Sequence, residues 1–136
     1  MANYIPHART NYFRVKDAEA FKSFVANIGA KIIQKKVRNE ILYGMIASPG
    51  FSWETYNGIE DDNNQTFAEI DIFEETAKHL VDGDVAIFQE VGCKRMRYFV
   101  GYSLAINSKF EIRTASIHDI YDKAQQLGKN ISSCSN

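Results

Sequence analysis

The stretch DVAIFQEVGCKRMRYFVGYSLAINSKFEIRTA, residues 84–115, decides the fold. It reads as three consecutive antiparallel strands, Asp84 to Val91, Arg95 to Ile106 and Phe110 to Thr114. Gly92, Cys93 and Lys94 suit the first reversal, and Asn107, Ser108 and Lys109 the second. Side chains alternate across a strand, so Met96, Tyr98, Val100, Tyr102, Leu104 and Ile106 share one face of the long middle strand. That face is apolar or aromatic throughout, as a core-facing side should be. Arg97, Phe99, Gly101, Ser103, Ala105 and Asn107 take the other face, whose small and polar groups imply a wet or lightly covered surface.

Towards the C-terminus, Ser116 offers an N-cap and Asp119 completes a box-like helix start. Ile117, Ile120, Tyr121, Ala124 and Leu127 follow as a stripe expected to be buried, with Gly128 as the stop and residues 129–136 as a polar tail. Towards the N-terminus, Phe67 to Ile72 alternates like a strand and runs into a short helix through Val81. Residues 50–66 form the longest irregular stretch and hold the single tryptophan, Trp53. Ala30 to Val37 and Ile41 to Ala47 read as strands joined at Arg38-Asn39-Glu40. Before them, Asp17 caps a helix whose stripe is Phe21, Phe24, Val25 and Ile28, ended by Gly29. Thr10 to Val15 reads as a short strand, and residues 1–9 as a flexible lead-in interrupted by Pro6.

Hairpins outnumber crossovers in this order. The expected fold class is α+β, a mostly antiparallel sheet of about six to seven strands with two to three helices packed on one face. A chain of 136 residues suits one domain, 1–136, and its 45% hydrophobic content supports a core that needs no disulfide or metal. No apolar run approaches the roughly 18 residues a spanning helix needs, and the first residues lack the apolar segment of an export signal. The expectation is therefore no membrane partner and a cytoplasmic setting, which suits two cysteines, Cys93 and Cys134, without a CxxC partner.

Catalytic motifs are sparse. The eight glycines are scattered, with no GxGxxG or P-loop pattern, and no cofactor is implied. His7, His79 and His118 lack metal-ligand spacing, and His79 and His118 are expected on solvated helix faces. Glu69 and Asp71 on one strand, with Glu90 on a neighbour, are the weak alternative for a divalent-metal hydrolase. The bland reading of those acids is a solvated strand face.

The formal net charge is −1, so nothing pulls the whole chain towards nucleic acid, but charge is unevenly placed. Lys35, Lys36, Arg38, Lys94, Arg95 and Arg97 would make a nucleic-acid patch if one sheet edge gathered them; lysines on an edge also serve to prevent aggregation. Trp53, Tyr56, Asp61 and Asp62 in the long loop are candidate partner-binding residues, unless the rings fold back to cap the core.

At LVDGDVAIFQEVG (80–92) and RYFVGYSLAINSKFEIRTASIHDIY (97–121) the chain resembles small accessory proteins of phages and plasmids. That resemblance implies action by binding, including inhibition of host-defence nucleases of CRISPR or restriction type. Such inhibitors are usually strongly acidic, and this chain departs from them in charge. The expected function is a non-enzymatic protein-binding module, with nucleic-acid binding and metal-dependent hydrolysis as alternatives. An edge strand could also pair with a second copy.

Overall fold

The computed structural model describes residues 4–56, 71–94 and 98–134. The elements are β1 (Ile5–Thr10), α1 (Ala18–Ile28), β2 (Lys31–Val37), β3 (Glu40–Ile46), α2 (Trp53–Tyr56) and α3 (Ile72–Lys78), then β4 (Val85–Lys94), β5 (Tyr98–Asn107), β6 (Ile112–Ser116), a 3-10 turn (Ile117–Asp119) and α4 (Ile120–Ala124). The six strands form one antiparallel sheet in the order β2-β3-β1-β4-β5-β6. The chain is α+β, as its hairpin-rich order predicts.

The core lies on one face. Phe21, Val25 and Ile28 of α1, Trp53 and Tyr56 of α2 and Ile72 and Ala77 of α3 bury against Phe13, Tyr43, Met45, Phe88 and Ile106. The helix ends follow their local signals. Asp17 accepts from the backbone N–H groups of Glu19 and Ala20, and Gly29 closes α1 with a left-handed φ of 82°. β4, β5 and β6 pair in sequence order as the expected meander, with Tyr102, Leu104 and Ile106 turned to the core.

Four expectations change. First, the lead-in is structured: β1 lies inside the sheet, paired to β4 from Ile5↔Cys93 to Thr10↔Phe88. Its inward residues are small, Pro6, Ala8 and Thr10, so they give no hydrophobic signal. Pro6 fits because β3 has turned away at its level; the last rung there is the Ala47 N–H donating to the Ala8 carbonyl at 3.0 Å. Between Thr10 and α1, where the sequence predicts a strand to Val15, the chain makes only the isolated bridges Phe13↔Tyr43 and Val15↔Leu80. Asn11 extends the β1–β4 ladder with its side chain, donating from Nδ2 to the Val85 carbonyl and accepting at Oδ1 from the Ile87 N–H.

Second, Gly92 and Cys93 are not a reversal. β4 runs straight through them, paired as far as Lys94↔Tyr98. A Cβ at Gly92 would lie 2.6 Å from the Ile5 carbonyl oxygen and 2.6 Å from the Tyr4 ring, so the glycine is required by close approach. Third, Asp71 is an N-cap, accepting from Phe73 and Glu74, and Ile72 begins a helix rather than ending a strand. Residues 67–70 lie outside the described set. Fourth, the C-terminal stripe is exposed: Ile120 is 59% and Leu127 92% accessible, and α4 is only five residues long. The capping box at its start is present, with Ser116 and Asp119 in both roles.

Candidate functional site

Register fixes what the second face of the sheet carries. Outward positions are Ile5, His7 and Arg9 on β1, Lys31, Ile33 and Lys35 on β2, Leu42, Gly44 and Ile46 on β3, and Val85, Ile87, Gln89 and Val91 on β4. Among the described residues this face is covered at two places: Ile117 packs over Gly101, where a Cβ would meet Ile117 Cγ2 at 2.8 Å, and the Asn11 backbone lies over the buried Gly44, where a Cβ would meet the Asn11 carbonyl oxygen at 2.5 Å. Ile5 at 59% and Val91 at 56% accessibility are apolar groups left in water.

Where β1 and β3 part company, a groove of about 610 Å³ opens. Its walls are Ile5, His7 and Val91 on one side and Ile46, Ala47 and Pro49 on the other. The outer wall is held by the core. The Tyr56 hydroxyl accepts from the Ser48 N–H at 2.7 Å, and the Ser48 hydroxyl donates to the Gly29 carbonyl at 2.6 Å. The parting of the strands therefore has a structural cause: residues 48–56 are pulled onto the helix layer by α2.

Glu90 also borders the groove, on the core side of β4, and is buried. Its carboxylate accepts from the Tyr4 hydroxyl at 2.7 Å, the Trp53 N–H at 2.8 Å and the Tyr102 hydroxyl at 3.1 Å. Burial, with the neighbouring carboxylate, pushes both tyrosine pKa values well above their ordinary 10.0. The Trp53 indole donates in turn to the Gln89 carbonyl at 3.1 Å. The network ties β1, α2, β4 and β5 together at the base of the groove.

A cationic cluster adjoins the groove's other end. The Arg9 guanidinium carbon stands 5.6 Å and Lys35 Nζ 5.9 Å from the Tyr12 ring centroid. Lys31 and Arg9 both pair with Ile46, from opposite sides, which puts them roughly 10 Å apart at ordinary strand spacing. Nearby, Arg14 is already committed. It donates to Asp84, with Nη2 to Oδ1 at 2.7 Å, and this bonding holds the Asp84 carboxyl below its usual range.

The residues singled out from sequence are placed differently. Trp53 and Tyr56 are fully buried, so their rings cap the core and offer no exposed anchor in this state. Trp53 packs edge-on to Phe88 at 5.0 Å. Asp61, Asp62, Glu69, Arg95 and Arg97 lie outside the described residues. Lys35 and Lys36 point to opposite faces by alternation, and Arg38 sits in the β2–β3 turn with φ 57°. Lys94 lies beyond the Ile5↔Cys93 pair, while Lys35 lies opposite Leu42 near Tyr43. About nine residue steps along the strands, or roughly 30 Å, separate them, so Lys94 does not share a patch with Lys35.

Asp71 caps a helix and Glu90 serves three donors, so neither belongs to the acidic strand face expected from sequence. Among the described residues, no group of three His, Cys, Asp or Glu side chains could hold a metal ion. His79 is half-buried: it stacks on Phe24 at 5.3 Å and meets Phe21 edge-on at 5.6 Å, and burial pushes its pKa down. The residues that sequence reasoning missed are Ile5, His7, Arg9, Tyr12, Ile46 and Val91. For Ile5, His7 and Arg9 the one signal was the outward register of a strand that Pro6 disguised.

Compared with protein-family models, curated proteins and solved structures, the chain has no match in any of the three. Among the described residues no helix is long and apolar enough to cross a membrane.

Proposed function

We propose that the chain is a non-enzymatic binding protein that engages another protein through the open sheet face, with the groove beside β1 as the seat. One observation carries this reading. A sheet covered by helices on one side leaves a 610 Å³ groove on the other, walled by Ile5, Val91, Ile46 and Pro49. Apolar groups in water are costly unless something covers them, and patches of this kind mark interaction sites. A groove bounded by strands accepts a protein segment without moving the backbone.

The resemblance to phage and plasmid accessory proteins makes a host-defence nuclease the first partner class to assay, in a cytoplasmic setting suited to two free cysteines. The test is affinity capture from a bacterial lysate, comparing the natural chain with Ile5→Asp and Val91→Asp. Both positions are exposed, so both variants should keep the natural melting temperature. The expected result is a stoichiometric partner retained by the natural chain and lost by both variants. Equal retention by all three refutes the groove as the seat.

A further inference from the structure

The groove continues into the cationic cluster, because Arg9 belongs to both. Resting on the reading of the groove as a partner seat, we infer that its occupant is an extended protein segment carrying acidic residues directly beside apolar ones. Three observations carry this. Arg9, Lys31 and Lys35 are exposed on one face, Arg9 and Lys35 beside the Tyr12 ring and Lys31 across Ile46 from Arg9. Among the described residues none of the three forms an ion pair, whereas Arg14 close by is bonded to Asp84 and lies 3.9 Å from Glu40. Arg9 and Lys35 both lie over the Tyr12 ring, at 5.6 and 5.9 Å from its centroid, which orders two long side chains before any ligand arrives. Like charges held together without a counter-charge gain from an anionic partner.

The groove decides which anion. Its apolar walls suit Val, Leu or Ile side chains of a peptide. A nucleic-acid strand would need cations spaced along its whole path, and Lys94 lies at the far end of the sheet. A peptide needs only a few apolar side chains between Val91 and Ile46, followed by acids beside Arg9, Lys35 and Lys31.

The probe is a display library of randomised 12-residue peptides, selected on the immobilised full chain. Selection on Arg9→Gln/Lys35→Gln and on Val91→Asp runs in parallel, and melting curves confirm folding of each variant. The expected result is enrichment of peptides with acids next to apolar residues. Their affinity should fall at least tenfold on Arg9→Gln/Lys35→Gln, weaken as salt rises, and vanish on Val91→Asp. Enriched peptides without acids that still fail on Val91→Asp would overturn the acidic occupant and leave the groove reading standing. No enrichment, or enrichment indifferent to Val91→Asp, would overturn both. Single-stranded DNA binding lost in Arg9→Gln/Lys35→Gln, with peptides unaffected there, would assign the cluster to nucleic acid and overturn the inference.

Discussion

Replacing Glu90 with alanine tests the joint at the base of the groove. The change removes the one acceptor shared by the Tyr4 hydroxyl, the Trp53 N–H and the Tyr102 hydroxyl. The Trp53 amide is buried, so losing its acceptor costs about 1–3 kcal/mol. Tyr102 is half-buried and Tyr4 less so; each loses a bond to a charged acceptor, which water replaces in part at a residual cost of about 1 kcal/mol each. The sum is about 4 kcal/mol, a large share of the roughly 5–15 kcal/mol that holds a domain folded. At about 3–4 °C per kcal/mol for a chain of this size, the melting temperature should fall by about 12–16 °C.

Urea unfolding followed by fluorescence of the single tryptophan is the assay, since Trp53 sits in the affected network. Tyr4→Phe and Tyr102→Phe should each cost about 1 kcal/mol, well below Glu90→Ala. A Glu90→Ala protein within about 1 kcal/mol of the natural chain, with unchanged Trp53 emission, would refute the claim that this carboxylate binds four elements together.

Other outcomes follow from the same geometry. Gly92→Ala should destabilise by about 2 kcal/mol or more, read from the denaturation midpoint, because its Cβ would strike the Ile5 carbonyl and Tyr4 ring; a neutral result would mean β1 can shift freely. Tyr4 and Tyr102 have raised pKa values, so the unfolded chain loses their protons first. Stability should be intact below pH 10.0 and fall above it, and that slope should flatten in the Tyr4→Phe/Tyr102→Phe protein. His79 has a lowered pKa, so the unfolded chain takes up its proton first. Stability should decline as pH drops through 6.5, and less so in His79→Gln, as thermal melts across that range will show.

Local signals carried the helix ends and the meander. Asp17, Gly29 and the Ser116–Asp119 box act on backbone groups within a few residues, so their neighbours in sequence are their partners in space. Alternation on 98–106 sorted Tyr102, Leu104 and Ile106 to the core for the same reason. Gly92 was misread because its constraint comes from Tyr4 and Ile5, far off in the chain. The Ile117–Leu127 stripe has the spacing of a packed helix, but spacing cannot say whether anything packs on it. Trp53 and Tyr56 looked like loop anchors because nothing local shows that Glu90 and Ser48 hold them down. The groove was hidden altogether, since it exists only where β1, β3 and β4 meet.

Site-specific photo-crosslinking in living bacterial cells tests the central claim most directly. A benzophenone side chain at position 91, on the groove wall, is compared with one at position 26, exposed on the helix layer. A discrete protein adduct at 91, missing at 26 and competed away by excess natural chain, is the result the account predicts. Adducts absent from 91, or equal at both positions, would contradict it.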